Sequence, residues 1–136
     1  MNNHFAKLGD VWKHLPLAEI LRVDPPRAYW ETHAGSASYP LTESPSRLHG
    51  ALRFLSLAPY DPDLRICAYL AALRHEPGVY PGSATLAMWS LGARASYLFC
   101  DVDPRSANGC KQFWPPTFTG RNCSRYLREK SLNNCD

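Results

Sequence analysis

Apolar residues follow two spacings along the first hundred residues, and these spacings predict the secondary structure. Spacings of three and four residues, as at Val11, Leu15, Ala18 and Leu21, are typical of one buried helix face. Short apolar runs such as residues 95–100 are typical of parallel strands that are buried on both faces. The pattern predicts helices over residues 11–21, 48–57, 63–74 and 84–91, and strands over residues 27–32 and 95–100. Helices that alternate with strands in this way indicate an α/β fold.

Capping residues set the predicted limits of these elements. Asp10 and Ser83 precede helical patterns and are predicted N-caps, because their side-chain oxygens can accept hydrogen bonds from free backbone N–H groups. Gly92 is predicted to close the helix that Ser83 begins. Residues 36–47 are rich in turn-forming residues and are predicted to be a loop. The predicted core includes three tryptophans: Trp12, Trp30 and Trp89.

The composition changes near residue 107. Residues 4–107 contain no Asn or Gln, whereas residues 108–136 contain five. The net charge of +3 also comes from the tail, since residues 1–107 hold ten Lys/Arg and ten Asp/Glu and residues 108–136 hold five and two. One interpretation is a polar, partly disordered C-terminus. We favour the other, an interrupted reading frame, which predicts a partial domain over residues 1–107 and a non-homologous, poorly ordered tail over residues 108–136.

Composition and cysteine spacing argue against several classes of protein. The chain is 45% hydrophobic and 20% charged, as a globular domain is, and no apolar run has the length of a transmembrane helix. The first residues lack the apolar region of a secretory signal, so we expect a cytoplasmic protein that does not bind membranes. The five cysteines include no C-x-x-C pair, so neither a disulfide framework nor a metal site is expected.

Polar and small residues follow both predicted strands, where α/β proteins bind ligands. Residues 32–35 (T-H-A-G) follow the first strand, residues 80–83 (Y-P-G-S) begin a helix, and residues 101–104 (D-V-D-P) follow the second strand. Small residues allow close backbone approach to a nucleoside-type cofactor, and a strand-end carboxylate can accept hydrogen bonds from ribose hydroxyls. Gly35 and Asp101 are 66 positions apart, which predicts a helical insert over about residues 41–78.

These motifs resemble the RlmJ family, S-adenosylmethionine-dependent methyltransferases that act on adenine N6 of 23S ribosomal RNA. Residues 3–14 look like the family's N-H-x-A-D-V-x-K-H signature. Residues 32–35 are similar to its D-T-H-A-G-A-G motif, residues 80–83 are identical to its Y-P-G-S, and residues 99–104 look like its strand-end acid motif. The resemblance implies the N-terminal half of a Rossmann-like class I methyltransferase, with S-adenosylmethionine as cofactor and RNA as partner.

The resemblance also implies a cofactor site. The residues that it assigns to that site are Lys13, His14, His33, Gly35, Ser83 and Asp101. His33 would contact the cofactor after the first strand, Ser83 would bind it at the helix start, and Asp101 would hold the ribose. Lys13 and His14 fit a solvated helix face equally well.

The sequence departs from the family at several points. Glu31 stands where the family has Asp, and Ser36 and Ala37 stand where it has Ala and Gly. The chain has no D-P-P-Y motif, in which the family binds the adenine amine and stacks the flipped base. We therefore assign no catalytic residue and expect a truncated, inactive fragment. The alternative is a non-catalytic interaction module, in which a partner chain pairs with the open sheet edge.

Overall fold

The computed structural model describes residues 5–57, 67–103, 106 and 120–122. Its helices are α1 (Leu8–Val23), α2 (Pro45–Leu48), α3 (Ala51–Leu57), α4 (Ala68–His75) and α5 (Ser83–Leu91). Its strands are β1 (Ala28–Glu31), β2 (Ser38–Pro40), β3 (Val79–Pro81), β4 (Ser96–Phe99) and β5 (Gly120–Asn122). None of the described helices is long and apolar enough to cross a membrane.

The chain forms two compact units, and each takes two stretches of sequence. Met1–Pro25 and Ser38–Pro81 form one, which we call the helical unit. Pro26–Ala37 and Gly82–Asp136 form the other, which we call the sheet unit. The predicted insert over residues 41–78 lies within the second stretch of the helical unit, so the chain leaves the sheet unit after β1 and returns to it at α5.

The sheet unit is built on parallel strands in the order β1-β4-β5. Tyr29 pairs with Tyr97 and Glu31 with Phe99, and β4 pairs in turn with β5. Tyr97 and Phe99 are buried. This parallel sheet and its helices confirm the predicted α/β class, and both strands predicted from apolar runs are present as β1 and β4.

The chain runs from β1 through the helical unit to α5, and α5 leads into β4. Most residues of α5 are buried. Its sequence, S-A-T-L-A-M-W-S-L, is apolar on nearly every side, which is typical of an enclosed helix. Gly92 closes it as predicted, with a left-handed φ of 55°. Its start is held at Ala37, whose carbonyl oxygen accepts hydrogen bonds from the Gly82 N–H (2.8 Å) and from the Thr85 hydroxyl (2.5 Å).

The helical unit packs α1 against α3 and α4. The carboxylate of Glu19 on α1 accepts a hydrogen bond of 2.5 Å from the Ala68 N–H, and so satisfies a free donor in the first turn of α4.

In the same unit, strands β2 and β3 pair antiparallel. The ring of Tyr39 on β2 stacks with that of Phe5, with centroids 4.5 Å apart. The Arg47 guanidinium lies 4.0 Å from the Phe5 ring centroid.

Both predicted N-caps are wrong, because the cap of each helix is an earlier residue: Lys7 for α1 and Gly82 for α5. Helix α1 begins at Leu8, so Asp10 lies inside its first turn, where its carboxylate accepts a hydrogen bond of 3.1 Å from the Lys7 N–H. An acid at this third position reaches back to the cap residue rather than forward. The N-cap of α5 is Gly82, and the Ser83 hydroxyl donates to Glu31 instead of capping the helix.

Three element predictions also need correction. The predicted loop over residues 36–47 contains β2, a three-residue strand that long-range pairing with β3 stabilises, and the first three residues of α2. The predicted helix over residues 48–57 is divided, since Leu48 ends α2 and α3 begins at Ala51, because Gly50 lies in a turn against the backbone of Ala6. The sequence predicted no strand after residue 107, but β5 adds one to the sheet.

Two of the three tryptophans assigned to the core are exposed. Trp12 is 74% exposed and Trp30 is 75% exposed, while Trp89 is half-buried. Other predictions lie outside the described residues: the N-terminal part of the signature at residues 3–4, the first part of the helix over residues 63–74, and the tail apart from residues 120–122.

Replacing Gly82 with Ala tests the close approach that begins α5. The φ of Gly82 is −72°, which any residue adopts, but an added Cβ would overlap the backbone oxygen of Ser36. Because a backbone atom cannot move aside as a side chain does, we expect Gly82→Ala to lower the free energy of unfolding by about 3 kcal/mol. Urea unfolding followed by circular dichroism measures this.

The matched control is Gly9→Ala. Gly9 lies in the first turn of α1, and an added Cβ there meets no atom within 4 Å. Alanine favours the helix over glycine by up to about 1 kcal/mol, so this variant should be equal to or more stable than the wild type. Equal stability of the two variants would contradict the steric account of Gly82.

Candidate functional site

The parallel pairing of β1 with β4 brings two predicted site residues together at the carboxyl edge of the sheet. Beyond the paired residues, the Ala34 N–H donates to the Cys100 carbonyl oxygen over 3.0 Å. The next N–H, that of Gly35, donates to Oδ2 of Asp101 over 2.8 Å. Gly35 and Asp101 are 66 positions apart in sequence, so this contact is a direct consequence of the fold.

The backbone around this contact suits a close ligand approach. Gly35 has a φ of 61°, in the left-handed region that glycine adopts without a steric penalty. Asp101 Oδ1 accepts a second hydrogen bond, of 2.8 Å, from the Asp103 N–H. Two backbone donors therefore fix the carboxylate, one at each oxygen. Because each carboxylate oxygen has two lone pairs, Asp101 keeps the capacity to accept from a ligand hydroxyl.

Ser83 lies at the start of α5 and is bonded to the end of β1. Its hydroxyl donates to Oε1 of Glu31 over 2.5 Å, and the Tyr29 hydroxyl donates to Oε2 over 3.3 Å. Burial raises the pKa of Glu31, the bonds from Ser83 and Tyr29 oppose that rise, and the nearby charge of Asp101 adds to it. Glu31 and Asp101 thus form a pair of carboxylates at one edge of the sheet.

Sequence reasoning did not assign Glu31 to the site, although it noted the residue as a departure from the family. The sequence pattern of β1 gave no signal for it, because a core position for Trp30 predicts that Glu31 lies on the other face of the strand. Tyr29 and Glu31 occupy the more buried positions of the strand, while Ala28 and Trp30 occupy the exposed ones. A carboxylate on the more buried side of a strand end needs hydrogen-bond donors, and Ser83 and Tyr29 supply them.

His33 lies in the segment that follows β1. Its side chain is exposed, and its Nδ1 is 3.0 Å from the hydroxyl oxygen of Thr32. The sheet unit thus contains four of the six predicted site residues. They are His33, Gly35, Ser83 and Asp101.

The other two predicted residues, Lys13 and His14, lie on α1 in the helical unit. Lys13 is exposed and forms an ion pair of 3.0 Å with Asp10. His14 Nδ1 is hydrogen-bonded to the Tyr80 hydroxyl at 2.8 Å, and that hydroxyl is 3.2 Å from the hydroxyl of Tyr69. Burial lowers the pKa of His14 to about 4, so the imidazole is neutral at neutral pH. Inside this unit, His14 is a member of a buried polar chain.

The helical unit also carries a surface cleft with a volume of about 620 Å³. Half of its lining residues are leucines, and the others are one acid, one base and one serine. The lining residues are Glu43, Leu48, Leu52, Arg53, Ser56 and Leu57. None of the six predicted residues is among them. Over the ranges that the structure describes, no group of three or more His, Cys, Asp or Glu side chains is arranged to hold a metal ion.

Comparison with known proteins identifies a fold but no family. No family model matches the sequence, and no curated protein matches it. A crystal structure of a Legionella pneumophila protein assigned to the DUF519 family superposes with a TM-score of 0.73 and 22% sequence identity. The match covers 88% of this chain and 48% of that one, so the chain spans about half the length of the solved structure. This likeness supports the mixed α/β fold.

The buried chain of His14, Tyr80 and Tyr69 predicts a stability that depends on pH. The pKa of His14 is about 4 in the folded state and near 6.5 in the unfolded state, so between these values the unfolded chain binds more protons. The contribution of His14 to the free energy of unfolding is therefore fully present above about pH 6.5 and is lost as the pH falls toward 4. We expect His14→Gln to remove up to about 3 kcal/mol of this loss, measured by urea unfolding from pH 7 to pH 4.

His33→Gln is the control for that measurement. His33 is exposed and lies outside the buried chain, so His33→Gln leaves His14 buried and should retain the loss of stability that His14 causes as the pH falls. Parallel pH profiles for the wild type and His14→Gln would contradict the assignment.

Proposed function

We propose that the sheet unit binds S-adenosylmethionine at the carboxyl edge of β1 and β4, in the manner of a Rossmann-like class I methyltransferase. The observation that carries the proposal is the 2.8 Å hydrogen bond from the Gly35 N–H to Asp101. It joins the small-residue turn after one parallel strand to the acid after the next. Ligands of open α/β sheets bind in this crevice, beyond the carboxyl ends of the strands.

The chemistry of the edge suits a cationic nucleoside. Asp101 is held by two backbone donors and can accept further hydrogen bonds from the two ribose hydroxyls. Glu31 and Asp101 are two carboxylates at this edge, and negative charge there would favour a cationic ligand such as a sulfonium. Ser83 can turn its hydroxyl from Glu31 to the ligand, and His33 is exposed beside the turn.

The proposed acceptor is an adenine amine in RNA, with ribosomal RNA as the preferred candidate. This rests on the sequence resemblance to the RlmJ family, whose motifs occur here in family order over residues 3–106. S-adenosylmethionine supplies an electrophilic methyl group when it is bound. Among the 136 residues there is no D-P-P-Y motif to accept the proton and stack the base. We therefore propose cofactor binding by this chain without methyl transfer by it alone.

A second candidate is an interaction module that a partner chain completes. The observation that favours it is β1, which is an edge strand of the three described parallel strands and carries an indole that is 75% exposed. Parallel sheets are normally covered on both faces, so an uncovered one favours a partner. The two candidates are compatible, since a completed sheet can also bind the cofactor.

Calorimetry with S-adenosylmethionine tests the first candidate. We expect a saturable heat of binding for the full chain. Asp101→Asn keeps the shape of the side chain but removes its charge and one pair of acceptor sites, so it should weaken binding at least tenfold, about 1.4 kcal/mol. Asp103→Asn is the matched control and should change the affinity less than threefold.

Thermal unfolding of both variants shows whether they are folded, so that a loss of binding is attributed to the carboxylate. No heat at millimolar S-adenosylmethionine would refute the cofactor proposal. An equal loss in both variants would refute the role of Asp101.

A radiolabelled methyl-transfer assay tests the absence of turnover. With ribosomal RNA or synthetic adenine-containing RNA, the purified chain should transfer no label above a boiled control, because the acceptor-binding motif is missing from these residues. Label that appears in RNA, and disappears in the Asp101→Asn variant, would show that another part of the chain binds the acceptor.

A further inference from the structure

Strand β1 lies at one edge of the three described parallel strands, and half of its backbone groups face outward. The carbonyl oxygens of Arg27 and Glu31 accept hydrogen bonds of 2.9 and 2.8 Å from N–H groups of the β4 segment. Backbone groups of successive residues in a strand point alternately to its two sides. The N–H and C=O groups of Ala28 and Trp30 therefore point away from β4, toward the edge with which no described strand pairs.

The side chains along this edge are exposed. Trp30 is 75% exposed, and Arg27 and Ala28 are exposed as well. Since side chains alternate across a strand, Ala28 and Trp30 share one face of the sheet, and Arg27, Tyr29 and Glu31 share the other. Outward backbone groups beside an exposed indole are a template for pairing with another strand.

A second copy of β1 can meet this edge in only a few ways. A twofold axis perpendicular to the sheet pairs two identical strands antiparallel. Residues whose backbone groups face outward must lie opposite one another, because only they can exchange N–H···O bonds across the new pair. The axis can then pass through Ala28, Tyr29 or Trp30.

The residues that become neighbours favour the axis through Tyr29. An axis through Ala28 places Trp30 opposite Pro26, which has no N–H to donate. An axis through Trp30 places the two indoles directly opposite each other and leaves Glu31 opposite Tyr29. The axis through Tyr29 places the large Trp30 beside the small Ala28 of the second copy.

The same axis also brings opposite charges together. It places Arg27 of each copy opposite Glu31 of the other, on one face of the sheet, so a base meets an acid twice. Burial and the charge of Asp101 both raise the pKa of Glu31. A guanidinium beside this carboxylate stabilises its charged form, which adds electrostatic complementarity to the fit of side-chain sizes.

We propose that this edge binds a second copy of the chain, with the two β1 strands antiparallel about Tyr29 and the two sheets continuous. The proposal deepens the interaction candidate above, on which it rests, and does not depend on cofactor binding. Ala28 and Trp30 form the hydrogen-bonded pairs, and each pair exchanges both of its N–H···O bonds. The interface is small, so we expect a dissociation constant of about 10 μM.

The position of α5 is compatible with this dimer. Its first residue, Ser83, donates to Glu31, and its C-cap residue, Gly92, accepts a hydrogen bond of 2.7 Å from the Tyr97 hydroxyl. The helix thus lies over β1 and β4, on the face that carries Glu31 and Tyr97. The twofold axis places the second α5 on the same face, two strand spacings or about 10 Å away, which is within the normal range for packed helices.

Sedimentation of the full chain over a series of concentrations tests the proposal. The wild type should show a reversible equilibrium between monomer and dimer. Trp30→Ser removes the indole that covers Ala28 of the second copy, so it should weaken the dimer at least tenfold. The matched control is Trp12→Ser, since Trp12 is 74% exposed on α1, and it should weaken the dimer less than threefold.

A charge reversal tests the register. Arg27→Glu places an acid opposite Glu31 at both ends of the paired strands, so it should weaken the dimer at least tenfold. Arg74 is also exposed but lies on α4, so Arg74→Glu makes the same change in net charge away from the edge. That control should change the dissociation constant less than threefold.

A proline tests the backbone pairing. The Ala28 N–H points outward, so Ala28→Pro removes no bond to β4 but deletes a donor that the second copy needs. Ala28→Pro should abolish the dimer, whereas Ala28→Ser keeps the N–H and should leave it intact. Because Arg27, Ala28 and Trp30 are all exposed, their variants should unfold at the temperature of the wild type; if one unfolds earlier, the other two decide.

Several outcomes would overturn the proposal. They are a chain that stays monomeric, a dimer that Ala28→Pro leaves intact, and a dimer that each control weakens as much as its matched variant. A dimer that Trp30→Ser weakens and Arg27→Glu does not would overturn the register about Tyr29. Calorimetry with S-adenosylmethionine is independent of these results, so a failure of pairing and a failure of cofactor binding are distinguishable.

Discussion

The parallel pairing of β1 with β4 is the constraint on which the other features of the sheet unit depend. At the end of this pairing the Cys100 N–H donates to the Glu31 carbonyl oxygen over 2.8 Å. From that bond onward the two chains continue side by side, and the contact between Gly35 and Asp101 follows from the register. The same register decides which side chains meet α5 and which remain in solvent. A slip of one residue would exchange the two faces.

The carboxyl edge balances two opposing electrostatic effects. Burial of Glu31 disfavours its charge, and the neighbouring Asp101 disfavours it further, while Ser83 and Tyr29 stabilise the charged form by donating to it. A buried carboxylate needs such donors, since removing it from water without them costs several kcal/mol. The donors that stabilise the charge of Glu31 thus come from the chain itself.

The sequence was sufficient for the features that are local and strongly patterned. The continuous apolar run of β4, the helical spacing of α1 and the glycine that closes α5 all lie where they were predicted. The candidate edge was found through short motifs, and the insert explained their separation. Each of these features depends on one short segment, so the sequence of that segment predicts it.

The failures have in common that distant residues decided the outcome. Strand β2 is three residues long and includes a proline, so only its pairing with β3 defines it. Ser83 has the side chain of an N-cap, whose oxygen accepts from backbone N–H groups, but in the fold Gly82 takes the cap position and the Ser83 hydroxyl donates to Glu31. Trp12 and Trp30 are large and apolar, which favours burial, yet the described chain provides nothing to enclose them. A local sequence pattern does not predict tertiary contacts of this kind.

The carbonyl of Ala37 has a consequence for how such a chain can evolve. It accepts hydrogen bonds from both the Gly82 N–H and the Thr85 hydroxyl, and so holds the end of one stretch of the sheet unit beside the start of the other. The pairing of β2 with β3 likewise holds together the first and last residues of the intervening stretch, Ser38–Pro81. The two ends of this inserted stretch are thus fixed close to each other. Its helices are free to lengthen, shrink or be exchanged over generations without disturbing the strands it interrupts.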